Sequence, residues 1–215
     1  MKNQPLILST AYFPPIEYWV AISQHSQVFI EAHENYQKQT YRNRCRILGP
    51  NGVQDLGIPV AKSGKIKNSI VEVQIFDDQL WQKVHWKSIE TAYNSSPFFL
   101  YYADYFEDLF IQKQENLLAL NTRIMELVFD ILELNQRLAF TKSFEKSYDD
   151  ALDLRAAIHP KKESPFYLMC KNAPYIQVFS ERYAFVPNLS ILDLIFNLGP
   201  EAERYLSEFD MLYAE

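Results

Sequence analysis

The chain opens on an apolar run, Leu6-Ile7-Leu8, that Pro14 and Pro15 close off. Residues 5–12 read as a buried strand. A proline at the first turn of a helix forfeits no bond the helix needs. Residues 16–24 therefore follow as a short helix, with Trp19, Val20 and Ile22 free to pack. Residues 27–32, Gln-Val-Phe-Ile-Glu-Ala, read as a second strand. Strand, helix and strand within about thirty residues make the pattern of a parallel βαβ unit.

Residues 33–40 are polar and suit a loop or a helical turn. Alternation resumes over 42–48: Asn43, Cys45 and Ile47 fall on one face, and Arg42, Arg44 and Arg46 on the other. Pro50-Asn51-Gly52 marks a hairpin turn, with residues 54–60 as the returning strand. Residues 70–76 alternate again and predict a further strand. From there the period becomes helical. Helices are expected over 81–93, with Trp81, Val84, Ile89 and Tyr93 inward, over 98–111, and over 115–134, where Leu117, Leu120, Ile124, Leu127, Val128 and Ile131 recur at helical spacing. Residues 138–140 read as extended. The polar region 143–171 suits a long loop or lid, with a helical turn over 149–157. A strand is expected over 176–179. Ser190 and Asp193 form an acidic capping box for a helix that Gly199-Pro200 stops, and a last helix covers 201–212.

The expected fold is a single α/β domain over 1–215. An N-terminal mixed sheet, with its βαβ start and hairpin, occupies 1–77, and a mainly helical half occupies 78–215. Composition supports this: 48% of the 215 residues are hydrophobic, enough for a sizeable core. Two cysteines, Cys45 and Cys170, make no disulfide framework. No signal peptide is recognised at the start, and no apolar run reaches the roughly 18–20 residues of a membrane span. The cytoplasm is the expected location.

A net charge of −6 speaks against a nucleic-acid-binding surface. That mean conceals a basic island. Lys38, Arg42, Arg44, Arg46, Lys62, Lys65 and Lys67 lie between Tyr36 and Lys67 against one acid, Asp55. Such an island suits a small anion, phosphorylated or carboxylated, better than a long polyanion. Three arginines on one strand face repel one another unless water or an anion compensates. Guanidinium forks match phosphate and carboxylate oxygens. Arg42, Arg44, Arg46 and Lys38 are thus candidate anion ligands, with Tyr12 and Tyr36 as orienting hydroxyls and Tyr41 a further donor. The competing reading is a solvated strand face offset by acidic helices.

For proton transfer the candidates are His159, clustered with Asp153, Arg155 and Lys161, and His85 on the predicted helix. Each also reads as a satisfied structural histidine. The five glycines form neither a dinucleotide fingerprint nor a phosphate loop. His33-Glu34 lacks the second histidine of a zinc-protease helix, no C-x-x-C pair occurs, and there is no nucleophile elbow, so no metal site is expected and the cofactor is undetermined. The run Phe98, Phe99, Tyr101, Tyr102, Tyr105 and Phe106 reads first as core, with a stacking platform for sugar or base rings as the other reading.

The strings Ala11-Tyr12-Phe13-Pro14-Pro15-Ile16-Glu17-Tyr18-Trp19, Glu34-Asn35-Tyr36-Gln37-Lys38-Gln39-Thr40-Tyr41-Arg42-Asn43-Arg44 and Gly49-Pro50-Asn51-Gly52 resemble the WbqC-like family. His85-Trp86-Lys87-Ser88-Ile89, Tyr175-Ile176-Gln177-Val178-Phe179 and the stretch from Asn188 to Pro200 continue the likeness. The resemblance implies a transferase of surface-polysaccharide (O-antigen) biosynthesis, with aminoacyl or glycyl transfer as the reaction. It brings no catalytic residues with it. A non-catalytic module that binds a partner protein of the same pathway is the alternative. The opening βαβ unit also resembles nucleotidylyltransferases, whose histidine-containing pair after the first strand binds phosphates. Tyr18 and Trp19 stand in that neighbourhood here, which weighs against adenylyl transfer.

Overall fold

The opening elements form as the apolar pattern demands. β1 (Leu6–Ser9), α1 (Ile16–Ser23) and β2 (Gln27–Glu31) make a βαβ unit, with Leu6 opposite Val28 and Ser9 opposite Glu31 in parallel register. The structure, a computed structural model, describes residues 4–61, 68–76 and 80–210. Lys62, Lys65 and Lys67 of the basic island lie outside the described residues. The start of α1 leaves backbone donors over, and one of them, Glu17 N–H, is met by Asn188 Oδ1 at 2.9 Å.

β3 (Arg44–Gly49) and β4 (Gly52–Gly57) form the expected hairpin as a sheet of their own. Pro50 and Asn51 turn the chain, and Gly52 takes φ +103°, where a side chain would be strained. The tight turn fixes the register, setting Arg46 opposite Asp55.

Two strands from the far half of the chain complete the parallel sheet. β5 (Arg137–Phe140) pairs with β2, and β6 (Leu152–Asp153) pairs with β1, giving the order β5-β2-β1-β6. Leu6, Leu8, Val28 and Ile30 enter the main core with Trp19 and Val20 of α1. Ile7 and Phe29 face the other way, beneath residues 140–151. The α/β class thus holds, with strands from both halves of the chain in one sheet.

The helices α2 (Leu80–Tyr93), α3 (Phe99–Ile111) and α4 (Leu117–Ile131) follow the predicted periods. Between α2, α3 and the C-terminal helices lies an aromatic block in which Phe13 meets Phe106 and Phe110, and Phe196 meets Tyr93, Phe99 and Phe106. Val84, expected inward, is exposed, and the neighbouring His85 is buried instead.

Other local expectations fail or are met only in part. Residues 70–76 are not a strand. Ile70 and Val73 are buried three residues apart while Val71 is exposed, so the chain makes a 3-10 turn over Ile70–Glu72 and then single bridges at Gln74 and Ile75. Residues 176–179 are irregular, because Gln177 turns inward to bond Val186 and Asp193 while Ile176 stays exposed. Within 149–157 the chain first pairs as β6, since the backbone of Leu152 and Leu154 bonds that of Pro5 and Ile7, and the expected turn follows, with the Ala157 and Ile158 N–H groups donating to the Leu154 carbonyl. Region 143–171 also holds an unforeseen helix, α5 (Pro165–Asn172), capped by Ser164 with proline in its first turn.

α6 (Ile191–Leu198) and α7 (Glu201–Ser207) follow, and a 3-10 turn over Glu208–Asp210 brings Phe209 into the core, while the end of the helix expected over 201–212 lies outside the described residues. Ser190 caps α6 through Leu192 N–H, but Asp193 does not complete a capping box. Asp193 is buried and accepts instead from Tyr175 Oη and Gln177 Nε2.

Gly199 joins α6 to α7 at φ +54°, where an added Cβ would lie 2.5 Å from the Phe98 ring. Gly199→Ala is expected to lower the unfolding free energy by about 2 kcal/mol. Equal urea midpoints for the two proteins would refute this.

Candidate functional site

In a parallel sheet the crevice off the carboxyl ends of the strands, where strand order reverses, is the usual ligand site. Here the reversal lies between β1 and β6, because β2 and β5 extend the sheet one way and β6 returns to the other side of β1. Ser9, Glu31 and Asp153 end β1, β2 and β6 at this edge.

Two knots of opposite charges close the edge. In the first, Arg42 Nε donates to Glu34 Oε1 at 2.7 Å, and Arg42 Nη2 donates to Glu34 Oε2 at 2.5 Å and to Ser9 Oγ at 2.6 Å. Both charged side chains are buried. Asn121 of α4 secures the same segment by donating to the Arg42 carbonyl at 2.8 Å and to Thr10 Oγ1 at 3.1 Å. In the second knot, Arg155 grips Asp153 through Nε at 2.9 Å and Nη2 at 2.6 Å, and its Nη1 donates to Glu31 at 3.0 Å. The rings of Tyr148 and Phe144 flank the Arg155 guanidinium. Burial opposes the charge on Asp153, but the bonds and charge of Arg155 outweigh it and hold the carboxyl below its usual range.

Two adjoining hollows share Tyr41 between these knots and the 155–164 segment. The narrower is lined by Ser9, Tyr18, Arg42, Arg155 and Ile158. The wider, of about 360 Å³, is lined by Arg46, Lys161, Lys162, Tyr167 and Asn188, with Glu163 as its one acid. His159 follows Ile158 of the first lining and precedes Pro160 of the second. Its Nδ1 accepts from Lys161 N–H at 3.1 Å. Partial burial, then the charges of Lys162, Lys161 and Arg42, push its pKa below the ordinary value. Burial raises the Tyr41 phenol, so it remains a hydrogen-bond donor. Glu17, buried and also raised by burial, accepts from Ser164 Oγ and from Asn188 Nδ2.

The three arginines do not converge. Arg42 precedes β3 and turns inward to Glu34, whereas Arg44 and Arg46 share Asp55 at 3.9 and 3.0 Å. The repulsion expected on one strand face is relieved by protein carboxylates. Lys38 is exposed and Tyr36 half-buried, and neither lines the hollows. Tyr12 and His85 belong to the core: Tyr12 Oη lies 2.9 Å from His85 Nδ1, and Trp81 packs on the imidazole. Burial lowers the His85 pKa to about 4, against the opposing bond to the Gly57 backbone, so its ring is neutral and enclosed. Of the sequence candidates, the fold brings together Arg42, Arg46, Tyr41 and His159 with its neighbour Lys161. Ser9, Glu31, Glu34, Lys162, Tyr167 and Asn188 went unforeseen. The hairpin turn carried the one legible clue, since it dictates that Arg46 meets Asp55.

A family model described as the WbqC-like protein family matches residues 10–173, about three quarters of the chain. The chain belongs to the WbqC-like family. The matched span supplies both walls of the cleft, while Asn188 lies beyond it. An uncharacterized protein, Rv1507c of Mycobacterium tuberculosis (strain ATCC 25618 / H37Rv), is 29% identical over 229 residues, covering 96% of this WbqC-like chain and 98% of that protein. No solved structure matches. Among the described residues no helix is long and apolar enough to cross a membrane, and no group of three His, Cys, Asp or Glu side chains is placed to hold a metal ion.

Glu34→Gln leaves Arg42 buried without its counter-charge and is expected to cost about 3 kcal/mol in urea unfolding. A loss below about 1 kcal/mol would show that the pair does not organise this edge. The Asp153 carboxylate, with its pKa depressed in the fold, stabilises above the unfolded value near 3.8, and this is lost as pH falls through the lower folded value. Asp153→Asn should therefore flatten the acid limb of the stability curve. Unchanged slopes below about pH 4 would contradict that.

Proposed function

We propose that the cleft at the β1–β6 edge binds a small anionic ligand, phosphorylated or carboxylated, and that the protein is a transferase of surface-polysaccharide synthesis. The observation that carries this reading is the wider hollow, where Arg46, Lys161 and Lys162 stand with Tyr41 against a single acid, Glu163. Family membership supports the pathway, and aminoacyl or glycyl transfer is the reaction proposed within it.

Lys161, Lys162 and Arg46 would hold the anion, with the Tyr41 hydroxyl as a neutral donor. The bond from Arg46 to Asp55 uses Nε, and the planar fork carries further N–H donors. The lone pair of neutral His159 lies at Nδ1, where it accepts from Lys161 N–H; in the reaction that bond gives way and Nδ1 takes the proton that an acceptor hydroxyl or amine loses as it attacks an acyl carbonyl. The new acyl bond forms as the bond to the leaving group breaks. A bound anion also offsets the cations around the ring, which raises the His159 pKa and makes it a stronger base in the complex.

Titration with pyrophosphate, nucleotide sugars and aminoacyl-phosphate analogues, followed by thermal shift, tests the site. At least one of these ligands is expected to raise the melting temperature. Lys161→Ala with Lys162→Ala, both at exposed positions, should weaken binding about tenfold, and added salt should weaken it further. If no phosphorylated or carboxylated ligand stabilises the protein at millimolar concentration, the reading fails and the partner-binding alternative takes its place. Once turnover is detected, His159→Gln should reduce kcat by about a hundredfold. The wild-type kcat/KM, which reports the free protein, should fall on acidification through a pKa below the ordinary histidine value of 6.5. A pH-independent rate would remove His159 from the chemistry.

A further inference from the structure

A second recess, opposite in charge to the cleft, is built on α3. The aromatic run there divides between core and surface. Phe99, Tyr102 and Phe106 are buried, whereas Tyr101 and Tyr105 remain 70% and 55% exposed. The exposed pair does not stand on a flat face. With Tyr102 they wall a hollow of about 720 Å³ that the end of α4 and the start of α7 close. That volume falls within the range of about 300–1,000 Å³ usual for small-molecule sites.

The lining has two parts. The Tyr101 and Tyr102 rings meet edge to face, their centroids 4.7 Å apart and their planes at 80°, so they form a corner of two aromatic walls. Tyr105 follows one helical turn later on the same side. Across from them are Asp130, Glu133 and Glu203, and no Lys, Arg or His lines the hollow. Among the described residues none of these three carboxylates is in a salt bridge. The negative end of the α4 dipole adds to their field. Burial, followed by the neighbouring Tyr101, Tyr105 and Glu133, holds the Tyr102 phenol protonated, which agrees with their close approach.

Aromatic faces attract organic cations through the ring quadrupole, and three tyrosines line this hollow. Carboxylates alone would suit a hydrated metal ion equally well, whereas the tyrosine corner favours a cation with apolar surface. We infer that this recess binds a small organic cation, an amine or a quaternary ammonium, seated against Tyr101, Tyr102 and Tyr105 with its charge toward Asp130, Glu133 and Glu203. The inference is independent of the anion cleft.

The test is titration of the full chain with choline and with putrescine, read by calorimetry and by the aromatic carbon–proton resonances of the tyrosines. The neutral choline isostere 3,3-dimethylbutanol, glucose and magnesium serve as comparisons. At least one cation is expected to bind with Kd below ~10 mM and to shift the Tyr101 and Tyr105 resonances. The isostere should bind at least about tenfold more weakly. Tyr105→Leu and Tyr101→Leu, both at exposed positions, should each weaken binding by about tenfold without moving Tm. The resonance shifts in the wild type give the same answer should either variant fold poorly. Binding by neither cation, equal binding of the isostere, preference for glucose, or magnesium binding that ignores both tyrosine variants overturns the proposal.

Discussion

The buried pair of Arg42 and Glu34 is the constraint on which the rest of the site depends. Taking both charges out of water is costly, and only close two-point geometry compensates. Their fork-to-fork contact, with Ser9 as a third partner, pins the 34–42 segment against the end of β1. Once Arg42 is fixed, its carbonyl engages Asn121 on α4, its neighbour Tyr41 sits at the meeting point of both hollows, and β3 begins two residues later. The pair therefore sets where the hairpin starts and which arginines face the solvent.

Much of the frame was legible from periodicity. The βαβ start, the hairpin and the three long helices follow from apolar spacing and turn chemistry, because each is a local pattern. What escaped was long-range. Nothing local announces that Arg137–Phe140 and Leu152–Asp153 join strands formed over a hundred residues earlier. The site was half legible for the same reason. The basic island and the His159 cluster were visible as separate strings, but their meeting across Tyr41 is a product of that pairing. The idea of three cooperating arginines failed because net charge along a strand says nothing of carboxylates that the fold delivers, here Glu34 and Asp55. His85 failed differently: a histidine at helical spacing cannot be told from a core residue until its neighbours Tyr12 and Trp81 are known.

The protein also segregates charge. Its formal charge is −6, yet the cleft gathers Arg46, Lys161 and Lys162 while the α3 recess gathers only acids among its charged residues. A cationic hollow in an acidic molecule sets a local potential opposite in sign to the molecule's average. The opposite holds at the recess, whose polarity agrees with the molecule as a whole.

β6 pairs through only two residues, Leu152 and Asp153, yet it carries Arg155 and the run to Lys162 into place. During synthesis the unit of β1, α1 and β2 emerges before β6 and can close on itself, but the edge stays unfinished until the chain as far as Asn188 has followed. The part of the edge that runs from Arg155 to Lys162 is held by the shortest strand. Local opening there would release one wall while the hydrophobic centre stays intact.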